Sequence, residues 1–144
     1  PILAGGIKNT TGTTVGSDMK NTGYVLMSQT EAVDQTATTS TTSIIIPAKS
    51  QLVTASLLVS VVWNGAAATA GLGYVGDATA FTAALAFTGV AIGIIPITAG
   101  ANKARLDAWA DVGDTDRRLL LTYNNLGAGE GWLTVTYMQA VDVG

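Results

Sequence analysis

The sequence predicts an all-β fold, an antiparallel β-sandwich of jelly-roll-like kind with at most one short helix, from three observations. Residues 51–65, QLVTASLLVSVVWNG, alternate with the two-residue period of a half-buried strand. Glycine recurs at 71, 73, 76, 89 and 93, too often for long helices to survive between. The C-terminal third holds two more alternating runs, 117–123 and 132–141, separated by a glycine-rich loop. A chain of 144 residues suits one such domain with one core.

Residues 1–22, PILAGGIKNTTGTTVGSDMKNT, have no sustained period and read as an extended N-terminal arm preceding a sandwich domain at 23–144. Such an arm either frays or orders when laid over a neighbouring subunit. A β-type run follows at 24–29, and the Thr/Ser-rich stretch 36–43 leads into Ile44, Ile45 and Ile46. Pro47 cannot donate to a ladder, so it closes that strand and opens a turn at Ala48, Lys49 and Ser50. In the long run beyond it, Val53, Ala55, Leu57, Val59, Val61 and Trp63 form a wholly apolar phase and are expected on the core face. The other phase, Leu52, Thr54, Ser56, Leu58, Ser60 and Val62, is expected to face water or a partner. Asn64-Gly65 supplies a turn.

Two or three short strands are expected between 66 and 99, where ATAFTAALAF at 78–87 fits strand or helix equally. Residues 101–110 read as a short helix with Asn102 as its cap and Leu106 and Trp109 one turn apart. The two last runs are expected to pair as a hairpin. Leu119, Leu121 and Tyr123 share one face of the first arm; Leu133, Val135, Tyr137 and Val141 share one face of the second, opposite Thr134 and Thr136. A small α+β domain is the alternative fold, and no internal repeat points to a solenoid or propeller.

Composition narrows function by exclusion. Hydrophobic residues make up 48% and charged residues 12%, against roughly 25% charged in an ordinary soluble domain. A net charge of −3 gives no electrostatic grip on phosphates, so nucleic acid is excluded as a partner. With no cysteine and no histidine, disulfides, thiol nucleophiles, imidazole bases and the usual zinc sites are absent. The uncharged stretch 78–102 is long enough to cross a bilayer but is dominated by Ala, Thr and Gly with Pro96 inside, so no membrane partner is expected. The N-terminal residues lack the basic and apolar blocks of a signal peptide.

The motifs are weak. Gly71-Leu72-Gly73-Tyr74-Val75-Gly76 matches G-x-G-x-x-G but lacks the βαβ context and the acidic residue of a dinucleotide site, and reads as backbone bends. Ser17-Asp18-Met19-Lys20 matches S-x-x-K without its companion motifs. Asp107, Asp111, Asp114 and Asp116 cluster enough to raise calcium, but the spacing is not an EF-hand, and Arg105, Arg117 and Arg118 lie close enough to pair with them. No nucleophile with a base can be assembled, so no enzymatic activity, catalytic residue, metal or cofactor is expected. Trp63, Trp109 and Trp132 are expected as core and interface anchors, and Asp116, Arg117 and Arg118 as a solvated or intersubunit ion-pair cluster.

Five segments carry a resemblance: YVLMSQTEAV from Tyr24, IIIPAKSQLVTASLLVSVVWNG from Ile44, GLGYVGD from Gly71, LDAWADVGDTD from Leu106 and GWLTVTYMQAV from Gly131. Together they resemble small structural proteins of tailed-bacteriophage virions, and more narrowly capsid decoration, or cement, proteins. The resemblance implies a β-sandwich that forms a homotrimer, is made in the host cytoplasm and sits on the outer capsid surface bound to the major capsid protein. It would stabilise the lattice by bridging neighbouring subunits. A surplus of apolar residues agrees with oligomerisation, though by itself it does not separate a trimer from another closed ring. On this reading the arm binds the partner through Pro1, Ile2, Leu3, Ile7, Lys8, Val15 and Lys20, and the oligomer interface includes Trp109, Asp116, Arg117 and Arg118. The alternative is a tail or head-fibre protein that contacts a host receptor through the loops at 71–76 and 124–131.

Overall fold

The computed structural model describes residues 24–63, 69–86 and 92–140. The arm at 1–22 with all of its candidate contacts, the S-x-x-K match, the Asn64-Gly65 turn and Val141 lie outside the described residues. The described elements run, in order, β1 (Tyr24–Asp34), β2 (Thr39–Ile46), β3 (Gln51–Val61), β4 (Thr69–Tyr74), β5 (Asp77–Ala86), β6 (Gly93–Ile97), α1 (Lys103–Ala110), β7 (Arg117–Tyr123) and β8 (Glu130–Ala140). They form two four-stranded antiparallel sheets. The first has the order β1-β8-β3-β6 and the second β2-β7-β4-β5. The ladders nest, β1 with β8, β2 with β7, β3 with β6 and β4 with β5, as though one long hairpin had been rolled over on itself. The all-β sandwich expected from the sequence is the fold of the chain.

The core lies between the sheets and follows from the alternation. Leu57, Val59, Leu133, Val135, Tyr137 and Ile97 come from the first sheet and meet Ile44, Ile46, Leu72, Phe81, Leu119 and Leu121 from the second. Each of these is at most 4% exposed, so a full transfer contribution of about 1.5–3 kcal/mol per large side chain applies. Trp63 closes one end, its ring 4.7 Å from that of Tyr123.

Two expectations are corrected. In β3 the apolar phase holds only through the middle: Ala55, Leu57, Val59 and, just beyond the strand, Trp63 are buried, whereas Val53 and Val61 are 42% and 41% exposed and Leu52 is buried. The register against β8 slips between Leu52 and Thr54 and again between Val59 and Val61. Each bulge adds one residue and reverses the side that the following residues face. The C-terminal hairpin does not form either. β7 belongs to the second sheet and β8 to the first, so Leu119 and Leu121 meet Leu133 and Val135 across the core rather than beside them. The connection between β7 and β8 crosses from sheet to sheet and is pinned by the buried Gln35. Its side chain donates to Asn125 O (3.2 Å) and accepts from Gly129 N (3.3 Å), and its backbone N–H and C=O bond to Gly129 O (2.8 Å) and from Gly127 N (2.9 Å).

The middle of the chain resolves the open choice in favour of strand: residues 77–86 are β5, not helix. Helix α1 starts as expected, with the Asn102 side chain accepting from Arg105 N at 3.1 Å. Pro47 ends β2, and the turn beyond it carries Lys49 at φ 63°, fixed by its N–H to Gly113 O at 2.8 Å.

Candidate assembly surface

The glycine motif and the aspartate cluster that raised chemistry each have a structural use. Gly71 and Gly73 lie in β4 where a Cβ would come within 2.9 Å of Ala83 O and 2.1 Å of Asp77 O, so β5 can close over β4 only because no side chain intervenes. Gly76 takes φ 110° in the turn between them. The four aspartates are engaged one at a time. Asp107 pairs with Lys103 at 2.7 Å, Asp111 accepts Gly113 N at 2.9 Å, Asp114 pairs with Lys49, and Asp116 accepts Ala48 N at 2.9 Å. Among the described residues no three acidic side chains converge on a possible metal position. The contact between Lys49 and Asp114 raises the lysine and lowers the aspartate from their usual ranges, first through the hydrogen bond and then through charge.

The arginines near these carboxylates bind carbonyl groups. Arg105 Nε donates to Thr79 O (3.2 Å), Arg117 Nε to Val112 O (2.9 Å) and Arg118 to Thr42 O (3.1 Å). Arg117 also lies over the Tyr74 ring, 4.1 Å from its centroid. Arg118 thus fills the irregular stretch of β2 between Thr41 and Ile45, where the ladder to β7 is interrupted.

Both flanks of the sandwich are closed by side chains. On one flank β1 and β2 are the outer strands of their sheets, and Gln29 of β1 donates to Ile45 O of β2 at 2.8 Å while the Glu31 carboxylate accepts the Ser43 backbone N–H at 2.7 Å and its hydroxyl. On the other flank β5 and β6 are outermost. There Thr82 donates to Thr98 O at 2.6 Å, and α1 lays Trp109 and Arg105 on β5, with Trp109 Nε1 donating to Phe81 O at 3.0 Å. Open strand edges invite pairing with another chain; here polar side chains and a helix occupy backbone groups at both flanks. Trp109, expected at an oligomer interface, is half-buried and tied to its own chain.

The outer face of the first sheet is different. The register places Ala32, Trp132, Leu58 and Ile94 in one row across β1, β8, β3 and β6. All are exposed, Trp132 at 47%, Leu58 at 40% and Ile94 at 71%. Beside this row runs a band of hydroxyls. Thr30 and Thr134 are joined at 2.9 Å, Thr136 donates to Ser28 at 3.1 Å, and Thr54 and Ser56 continue the band on β3. Leu26, 62% exposed, lies beyond it opposite Met138. Charge on the described part of this face is confined to Asp34 and Glu130, opposite one another at one end. At its β6 side the face passes into an apolar groove of about 380 Å³ bordered by Val53, Pro96, Leu106 and Trp109.

Sequence reading assigned Leu58 to the phase facing water or a partner, which is where it lies. It did not join Leu58 to Ala32 and Ile94, because only strand register brings them together. Of the two loops expected to contact a host receptor, 71–76 is largely strand: residues 71–74 belong to β4. The β4–β7 ladder runs from Ala70 opposite Tyr123 to Tyr74 opposite Leu119, which leaves the turn at Val75 and Gly76 at the end away from 124–131.

No protein-family model and no curated protein sequence matches the chain. Among solved structures it is similar to a chain of the cyanophage Pam1 capsid asymmetric unit, with a TM-score of 0.58 over 91% of this chain and 96% of that chain. The two share a fold. At 18% sequence identity the likeness is one of backbone architecture.

Proposed function

We propose that the chain is a non-enzymatic structural protein of a phage virion, acting as a capsid decoration protein. The observation that carries this reading is the fold likeness to a chain of a phage capsid asymmetric unit, which extends over nearly the whole of both chains. The nested ladders support a jelly-roll reading of the sandwich. On this proposal the protein assembles as a homotrimer on the capsid surface and binds the major capsid protein through the arm at 1–22, with Pro1, Ile2, Leu3, Ile7, Lys8, Val15 and Lys20 as contacts. The outer face of the first sheet, charged only at its Asp34 and Glu130 end among the described residues, and the closure of both flanks fit a protein that acts by packing rather than by chemistry. The test is co-sedimentation with capsids prepared without the protein. The full chain is expected to saturate them. A form lacking residues 1–22 is expected to fold with the same circular dichroism and to stay in the supernatant. Failure of the full chain to sediment with capsids refutes the decoration role, and undiminished binding by the shortened form refutes the role of the arm.

A further inference from the structure

We infer that the outer face of the first sheet is where one copy of this chain packs against a second copy. The inference rests on the assembly role proposed above but not on its trimer: a face that meets its own copy closes a twofold pair. The face fits a second copy of itself in three respects. Its apolar row holds the exposed Trp132 between Ala32 and Leu58, and a large aromatic within such a row is the kind of side chain that anchors a desolvated interface. Its middle band is made of hydroxyls, from Ser28, Thr30, Thr54, Ser56, Thr134 and Thr136, and a hydroxyl both donates and accepts, so a band of them can satisfy its own copy. Like charges would oppose each other if a charged face met itself, but Asp34 and Glu130 lie at one rim, where they keep their water.

The flat area of the face supplies about three quarters of what a stable interface needs. Three strands of eleven residues and one of five, at about 3.3 Å per residue and 4.8 Å between strands, give roughly 600 Å² of face. A stable interface needs roughly 800 Å² from each partner, and the contiguous groove at Val53, Leu106 and Trp109 extends the face toward that figure. Pairing edge to edge is the other way in which β-proteins associate. The side-chain contacts on β1, β2 and β5 oppose it.

The experiment is sedimentation velocity on the full chain with three single substitutions. Leu58→Lys and Ile94→Lys each put a charge into the row, and Ile94 lies on a short outer strand at 71% exposure, so it tests the face even if Leu58→Lys fails to fold. Val75→Lys puts the same charge in the exposed β4–β5 turn as a control. The wild type and Val75→Lys are expected to sediment as the same oligomer, and both row variants as folded monomers with self-association weakened about 100-fold. A monomeric wild type overturns the inference, as do row variants that keep the wild-type mass. Row variants that remain oligomeric but no longer sediment with capsids also overturn it and assign the face to the capsid instead. Dissociation of both row variants upholds the inference even if the wild type ignores capsids, an outcome that refutes only the decoration role.

Discussion

Tyr123 ends β7 with its ring against Trp63 and its hydroxyl turned away from water. Burial disfavours the charged phenolate and pushes its pKa up to about 12, with the Ser40 hydroxyl opposing in part. An unfolded chain ionises the same group near pH 10. The contribution of the neutral, buried phenol is therefore complete below about pH 10 and declines as pH rises toward 12, because only the unfolded state gains from losing the proton in that interval. Urea unfolding across that interval is expected to show a fall in stability for the wild type that Tyr123→Phe reduces. Lysine titration is common to both proteins and cancels in the difference.

The connection between β7 and β8 depends on Gln35, the first residue after β1. Replacing it with leucine keeps the volume and removes both side-chain bonds, leaving Asn125 O and Gly129 N without that partner in a buried setting. A loss of about 3 kcal/mol is expected, read as a lower urea midpoint at unchanged slope. This connection also marks the limit of what the sequence discloses about elements. Alternation states which side chains of 117–123 and 132–141 face inward, and Leu119, Leu121, Leu133, Val135 and Tyr137 all do. It does not state which strand lies alongside, since a hairpin and a crossing between sheets bury the same residues. The bulges in β3 are equally silent, because a slipped ladder is a matter of backbone bonding and leaves Val53 and Val61 with the composition of core residues. By contrast, the Asn102 cap, the stop at Pro47 and the glycine bends of β4 are local, and each was legible from one or two residues. The row on the first sheet was legible only in part: Leu58 and Trp132 were noted singly, and register across four strands joined them to Ala32 and Ile94.

At the scale of the molecule, the nested ladders make most contacts non-local. β1 pairs with β8 from Tyr24 opposite Ala140 onward, and the β4–β5 turn is the tight link from which the nest opens outward. Closing loops of this length before contacts reward them slows folding. Stopped-flow refolding followed by tryptophan fluorescence is expected to take milliseconds to seconds, and a dominant microsecond phase would contradict the topology. The same β1–β8 ladder has a mechanical meaning. A pull at Tyr24 along the axis of β1 loads that ladder from end to end. Eleven paired positions, from Tyr24 with Ala140 to Asp34 with Glu130, then resist together in shear instead of parting one at a time. A tether pulled in that direction is held by the whole length of the strand, with Gln29 and Glu31 fastening its free side to β2.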